Sequence, residues 1–246
     1  MSFDEKRVVV LGATGVVGSG VVRKYLDAGA TVVGVSRSEE NLEQLRKTVG
    51  IRAGEAFLPV VGDFHTEDAA SATREAVVTA LAGAPVDHVV SSLGFVQFAG
   101  PPTEAPIEAV QSALENGLYI NVRAAKAFVP MLKGREDTSY TLVSGGLAHF
   151  PPPDPALWLG TLKNAAINAF TYGLASETAK DPLRVNTICI HFGVAPVGGD
   201  KNQFGMPSER DTLGLAPAFL GVAKSRRKGQ VVCLTSWADA DAVAAG

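Results

Sequence analysis

The chain has 246 residues, 46% of them apolar, and a net charge of −3, which is enough to bury one substantial core and leaves no basic field for nucleic acid. Lys and Arg are dispersed apart from SRRK at 225–228, read as a solvated loop, and the longest apolar runs fall short of the ~18 residues a spanning helix needs, so neither nucleic acid nor membrane is an expected partner. The opening MSFDEKRVVV passes from charge straight into a strand, so no targeting or anchoring segment and a cytoplasmic location are expected.

Seven β-branched runs, RVVVL, TVVGV, FLPVV, DHVVSS, YTLVS, RVNTICI and QVVCL, alternate with segments of helical period. Such near-continuous apolar runs read as strands buried on both faces. The expected fold is therefore α/β: a Rossmann-like doubly wound parallel sheet of about seven strands with helices on both faces, in a single domain spanning 1–246.

After the first strand comes GATGVVGSG at 12–20, where Gly12, Gly15 and Gly18 form GxxGxxG at a strand-to-helix turn. Glycines there let the backbone turn tightly and approach a pyrophosphate, to which the helix N-terminus offers unpaired N–H groups and a positive dipole end. The second strand ends in GVSRS. An acidic residue at position 37 would accept from a ribose 2′-hydroxyl, whereas Arg37 between Ser36 and Ser38 suits a 2′-phosphate, so NADP(H) is expected in preference to NAD(H). VVGDF then places Asp63 at the carboxyl end of the third strand, where ligands meet an open α/β sheet.

The two longest helical stretches run over roughly 106–133 and 157–179. In the first, Ala109, Val110, Ala113, Leu114 and Leu118 form an apolar stripe, and Pro130 falls near the end. Cys189 and Cys233 both fall in apolar runs that read as buried strands. No pair or quartet of candidate ligands has metal-ligand spacing, so no metal site is expected and a reducing compartment fits best. Residues 193–213, rich in Gly, Pro and polar side chains, read as a substrate lid.

Taken in order, the glycine turn, Asp63, SSLG at 91–94, Asn121, Lys163, RVN at 184–186 and GQVV at 229–232 resemble the short-chain dehydrogenase/reductase family over almost the whole chain. The resemblance implies that Gly12, Thr14, Gly15, Val16, Val17 and Gly18 surround the pyrophosphate. It likewise implies Ser36, Arg37 and Ser38 at the adenosine ribose, Asp63 and Phe64 at the adenine, and Ser92, Leu93 and Gly94 at the inner ribose. Lys163 would bond the nicotinamide ribose, and Asn121 would hold a water or a backbone kink. Members of the family form homodimers or homotetramers through the two long helices.

The same resemblance implies a Tyr four residues before Lys163, as proton donor, and a Ser about 13 residues before that Tyr. This chain has Leu159 and Gly146 there, with Ser144 two residues early. Candidate replacements are His149 and Asp154 in the loop HFPPPDP, and His191, where the family has Pro-Gly. Asp154 before Pro155 also reads as a helix N-cap, and Arg123 as half of a surface ion pair. The catalytic set is accordingly Lys163, Asn121, Asp154 and His149.

The first functional expectation is an NADP(H)-dependent oxidoreductase acting on a small organic substrate that needs no phenolic donor. An iminium ion fits, because hydride addition consumes its positive charge, and Asp154, Trp158 and Phe150 could stabilise the cation. The alternatives are a non-redox cyclase, isomerase or lyase on the same scaffold and a catalytically inactive NADP-binding sensor.

Overall fold

A computed structural model describes residues 3–246. Its strands are β1 (Arg7–Leu11), β2 (Thr31–Ser36), β3 (Phe57–Val61), β4 (His88–Ser91), β5 (Ser139–Gly145), β6 (Arg184–Ile190) and β7 (Gln230–Leu234). They form one seven-stranded sheet in the order β3-β2-β1-β4-β5-β6-β7, every pair parallel. The helices are α1 (Val16–Asp27), α2 (Glu39–Thr48), α3 (Glu67–Ala80), α4 (Ile107–Leu114), α5 (Ile120–Leu132), α6 (Trp158–Glu177), α7 (Thr212–Leu215), α8 (Pro217–Lys224) and α9 (Trp237–Ala245). Among the described residues no helix is long and apolar enough to cross a membrane.

The strand runs are uniformly apolar because the sheet divides two cores. Val8 and Val10 of β1 pack with Val21 and Val22 of α1, Phe219 of α8 and Val243 of α9. Val9 and Leu11 face the other way, onto Val77 of α3, Phe128 of α5 and Ile167 of α6. All four β1 residues from Val8 to Leu11 are fully buried, which is why β-branched residues fill both parities.

Three local expectations need correction. The stretch expected as one helix over 106–133 is broken by a π-helical segment, Glu115–Tyr119, between α4 and α5, and of its apolar stripe only Ala113 is fully buried. The helix expected from 157 is α6, preceded by a 3-10 turn at Pro155–Leu157. Cys233 is exposed and not buried, because β7 is an edge strand with no strand beyond it.

One ion pair ties α1 to the approach of β3. Buried Arg23 forks onto Glu55, Nη1 to Oε2 at 2.8 Å and Nη2 to Oε1 at 2.7 Å, and its Nε reaches Asp27 at 2.9 Å. The Arg23 guanidinium, followed by the Arg52 backbone N–H, holds the Glu55 carboxyl down at about 2. Its folded pKa is depressed, so its stabilisation is complete above the unfolded value of 4.5 and is lost as pH falls through about 2. Glu55→Gln is expected to cost about 2 kcal/mol at neutral pH. In urea titrations the gap between wild type and variant should close as pH falls across that window.

Candidate active site

Parallel strands bring the carboxyl ends of β1, β4, β5 and β6 to one edge of the sheet, and the candidate residues collect there. At the β1–α1 turn, Gly12 has φ of +76°, and a Cβ on Gly18 would lie 2.1 Å from the Gly12 carbonyl oxygen, so only glycine allows this approach of helix to turn. Helix α1 begins after Gly15 with no side-chain cap and no acidic residue in its first turn. The N–H groups of Val16, Val17 and Gly18 are thus left for a ligand, an arrangement that fits a dinucleotide pyrophosphate.

Around this turn, Thr14 Oγ1 and Ser36 Oγ share a hydrogen bond of 2.9 Å, and Ser38 caps α2 by accepting from the Asn41 N–H at 3.2 Å. Both serines therefore have structural work. Arg37 is exposed and makes no hydrogen bond or ion pair among the described residues, although it contributes to the field at Asp63. Its guanidinium is the group that fits a 2′-phosphate.

Asp63 is engaged rather than open. Its Oδ1 accepts from the Phe64 N–H at 2.8 Å and meets His65 Nδ1 at 2.6 Å, while His65 Nε2 lies 3.1 Å from Asn116 Oδ1. Burial pushes the Asp63 carboxyl up, but the His65 and Phe64 contacts outweigh it and hold it below its usual range; the bond to Asp63, then that to Asn116, raises the His65 imidazole. Phe64 turns its ring into the core, 6.3 Å from Phe128, so its backbone is what it can offer an adenine. His65 and Asn116 were not candidates from the sequence, since their meeting depends on the π segment carrying Asn116.

At the chemical end two buried polar side chains hold the loop after β4. Asn121 accepts from Ser91 Oγ at 2.6 Å and donates to the carbonyls of Gly117 at 2.6 Å and Leu93 at 3.3 Å, locking the π segment against Ser92, Leu93 and Gly94. This is the backbone-kink role. Lys163 Nζ donates to the Phe95 carbonyl at 3.0 Å, next to Gly94, the region where an inner ribose would lie. Burial lowers the Lys163 ammonium to about 8. Leu159, four residues before it on α6, is 1% exposed.

At Gly146, where a hydroxyl would be expected, the space is taken: a Cβ there would lie 2.7 Å from His191 Cγ. The His191 ring stacks on His149 with centroids 5.2 Å apart, and its Nε2 is buried without a hydrogen-bond partner among the described residues. His149 Nε2 lies 3.4 Å from Asn168 Nδ2 and 3.7 Å from Cys233 Sγ, and Asn168 accepts from Ser144 Oγ at 2.7 Å. Asp154 stands apart, exposed, with Oδ1 accepting from the Ala156 N–H at 2.8 Å as cap of the 3-10 turn. Arg123 pairs with Glu115 and donates to the Phe64 carbonyl.

The segment after β6 folds back over this edge. Asn202, 8% exposed, accepts from the Phe204 and Met206 N–H groups at 2.9 and 3.1 Å, and Ser208 Oγ donates to the Gly193 carbonyl at 2.8 Å. Phe204 meets Phe98 edge-on at 5.9 Å. The Phe98 loop is tied to α6 by Trp158 Nε1, which donates to the Gly100 carbonyl at 3.1 Å. Phe95, Phe98, Phe150 and Phe204 are all exposed.

Comparison with known proteins gives a consistent neighbourhood. A short chain dehydrogenase family model matches residues 6–202. The chain is 27% identical over 212 residues to dehydrogenase/reductase SDR family member 4 of Bos taurus, covering 86% of this chain and 73% of that protein. It is 28% identical over 206 residues to the cis-1,2-dihydrobenzene-1,2-diol dehydrogenase of Pseudomonas putida, covering 80% and 68%. Among solved structures it is similar to the NADPH-bound short chain oxidoreductase of Pseudomonas aeruginosa PAO1 containing an atypical catalytic center. There the TM-score is 0.81 at 23% identity, over 95% of this chain and 96% of that one.

The buried ammonium carries its own test. Lys163 has a folded value of about 8 against 10.5 unfolded, so its cost is complete below pH 8 and is relieved as pH rises to 10.5. Lys163→Met keeps most of the stem and removes the charge. It is expected to stabilise the protein without ligand by about 2 kcal/mol at neutral pH. Thermal unfolding should show that gain shrinking above pH 8.

Proposed function

Because the chain belongs to the short-chain dehydrogenase family, we propose that it is an NADP(H)-dependent reductase whose substrate carries a cationic carbon–nitrogen double bond beside apolar groups. That it is an oxidoreductase of this family's type follows from the membership; the coenzyme preference and the substrate class are the proposal. The observation that carries it is the pair Leu159 and Gly146. Neither the side chain four residues before Lys163 nor the one beside His191 can protonate a developing oxyanion. An iminium carbon needs no such acid.

When bound, the reduced coenzyme supplies a hydride. The chain's own residues do the rest. The α1 N-terminus, with Gly12, Gly15 and Gly18, holds the pyrophosphate, and Arg37 takes the 2′-phosphate. Lys163, which donates to the Phe95 carbonyl, would hold the ribose hydroxyls, and Asn121 keeps the Leu93 carbonyl in position. The exposed rings of Phe95, Phe98, Phe150 and Phe204 offer π faces, each worth about 1 kcal/mol to a cation. Asp154, occupied as a cap, is not needed for this. The NADPH-bound neighbour from Pseudomonas aeruginosa supports the coenzyme reading.

Two measurements test the proposal. Arg37→Asp should weaken NADP(H) binding by about tenfold or more and strengthen NAD(H) binding, as read by calorimetry with each coenzyme. NADPH oxidation by the purified protein should be supported by cyclic iminium salts with apolar substituents and not by the matching ketones. Turnover of the ketones alone would sink the substrate assignment, and an Arg37→Asp variant with unchanged preference would sink the coenzyme assignment.

A further inference from the structure

We infer that His149, Cys189, His191 and Cys233 form a binding site for a zinc ion or a similar soft divalent metal. Each of the four offers one ligand atom, and these atoms all lie within 4.8 Å of one another. The sheet makes this arrangement. Cys189 of β6 pairs in register with Cys233 of β7, and Ser144 of β5 pairs with Cys189. Ile188, Ile190, Val232 and Leu234, which flank the cysteines, face the α1 side. Strand alternation therefore sends both thiols to the α6 side, next to each other.

His191 follows Cys189 by two residues and shares its side of the chain, just past the end of β6. His149 arrives from the turn after β5, stacked on His191, with Nε2 3.7 Å from Cys233 Sγ.

The donor set is what zinc takes in closed structural sites: two thiolates and two imidazoles, tetrahedral. Zinc–ligand bonds of about 2.0–2.3 Å set tetrahedral edges of about 3.3–3.8 Å. The His149–Cys233 edge already has that length, and the widest pair has to close by about 1 Å. One further observation points to a ligand. His191 Nε2 is buried and has no hydrogen-bond partner among the described residues, a vacancy that a buried polar atom rarely keeps. Asn168 Nδ2 lies 3.4 Å from His149 Nε2, and that nitrogen has to turn its lone pair from the amide to the ion on binding.

Asn168 is in turn fixed by Ser144 Oγ at 2.7 Å, giving the site an outer layer of hydrogen bonds. His149 and Cys233 are exposed, so an ion can enter from solvent, while Cys189 is fully buried. Binding releases the two thiol protons, and four protein ligands leave no open position. The metal is accordingly a staple. It would clamp the turn after β5, which carries Phe150, to the ends of β6 and the edge strand β7, and His149 is then a ligand and not a proton carrier. This revises the expectation that the chain holds no metal.

The test uses the full chain, stripped with a chelator and kept reduced and free of air, then titrated with cobalt(II). One equivalent should produce the near-ultraviolet thiolate-to-cobalt charge-transfer band and the intense visible bands of a tetrahedral site, and zinc should displace both. Cys233→Ser, an isosteric change on the exposed edge strand, should weaken the band and lower the affinity by about a hundredfold. His149→Ala should keep a thiolate band of altered visible spectrum at similarly reduced affinity. Zinc should raise the melting temperature of wild type by more than that of Cys233→Ser at the same concentration. No charge-transfer band at millimolar cobalt, or a band of equal strength in Cys233→Ser, would overturn the assignment.

Discussion

Parallel pairing in register is the constraint from which the functional edge follows. Leu11 of β1 aligns with both Val35 and Ser91, Ser91 with Leu142, Gly145 with Ile190, and Ile190 with Leu234. With every strand running the same way, each crossover must return by a helix, and every strand-to-helix turn opens at the same side. Helices on both faces leave the strands no polar side, which is why the runs are so uniformly apolar. The glycine turn, Asp63, the loop after β4, Gly146, His191 and the last two strand ends meet for this reason alone.

Along that edge the coenzyme half and the reacting half differ in what they keep. The coenzyme half has a helix start without a side-chain cap, Gly12 and Gly18 at positions that admit only glycine, and, among the described residues, an unpaired Arg37 guanidinium. In the reacting half, Asn121 and Lys163 remain: Asn121 ties Ser91, Leu93 and Gly117 together, and Lys163 donates to the Phe95 carbonyl. An ammonium buried on one carbonyl is a costly arrangement in the protein alone, and it makes sense for a group that gains further acceptors on binding. The donor that would normally answer it is absent, and the place of its partner hydroxyl is filled by an imidazole. Neither of these two positions can supply a proton, which is the feature the proposed substrate class answers.

Phe150 and the histidine–cysteine cluster meet at the turn after β5. Phe150 is the neighbour of His149 in sequence and contacts His191 edge-on at 5.9 Å. A metal bound by the cluster would set the position of that turn and of the Phe150 ring it carries. Fold, pocket shape and metal would then be coupled through a few residues at the open end of the sheet.

Local features were legible from the residues alone. The seven strands, the helices on both faces, the glycine turn, Arg37 and the Leu159 substitution are properties of short stretches, set by β-branching, periodicity and spacing to a neighbour a few positions away. Asp154 could be read either as a cap or as an acid, because the capping pattern is local but its engagement is not. The π segment, the His65–Asp63–Asn116 chain and the inward turn of Phe64 were not legible, since each depends on how one helix settles against another. Cys189 and Cys233 show no metal spacing along the chain, and His149 lies 84 residues from Cys233. Only strand order and register bring them together, and these come from how the whole sheet packs, which covalent distance does not encode.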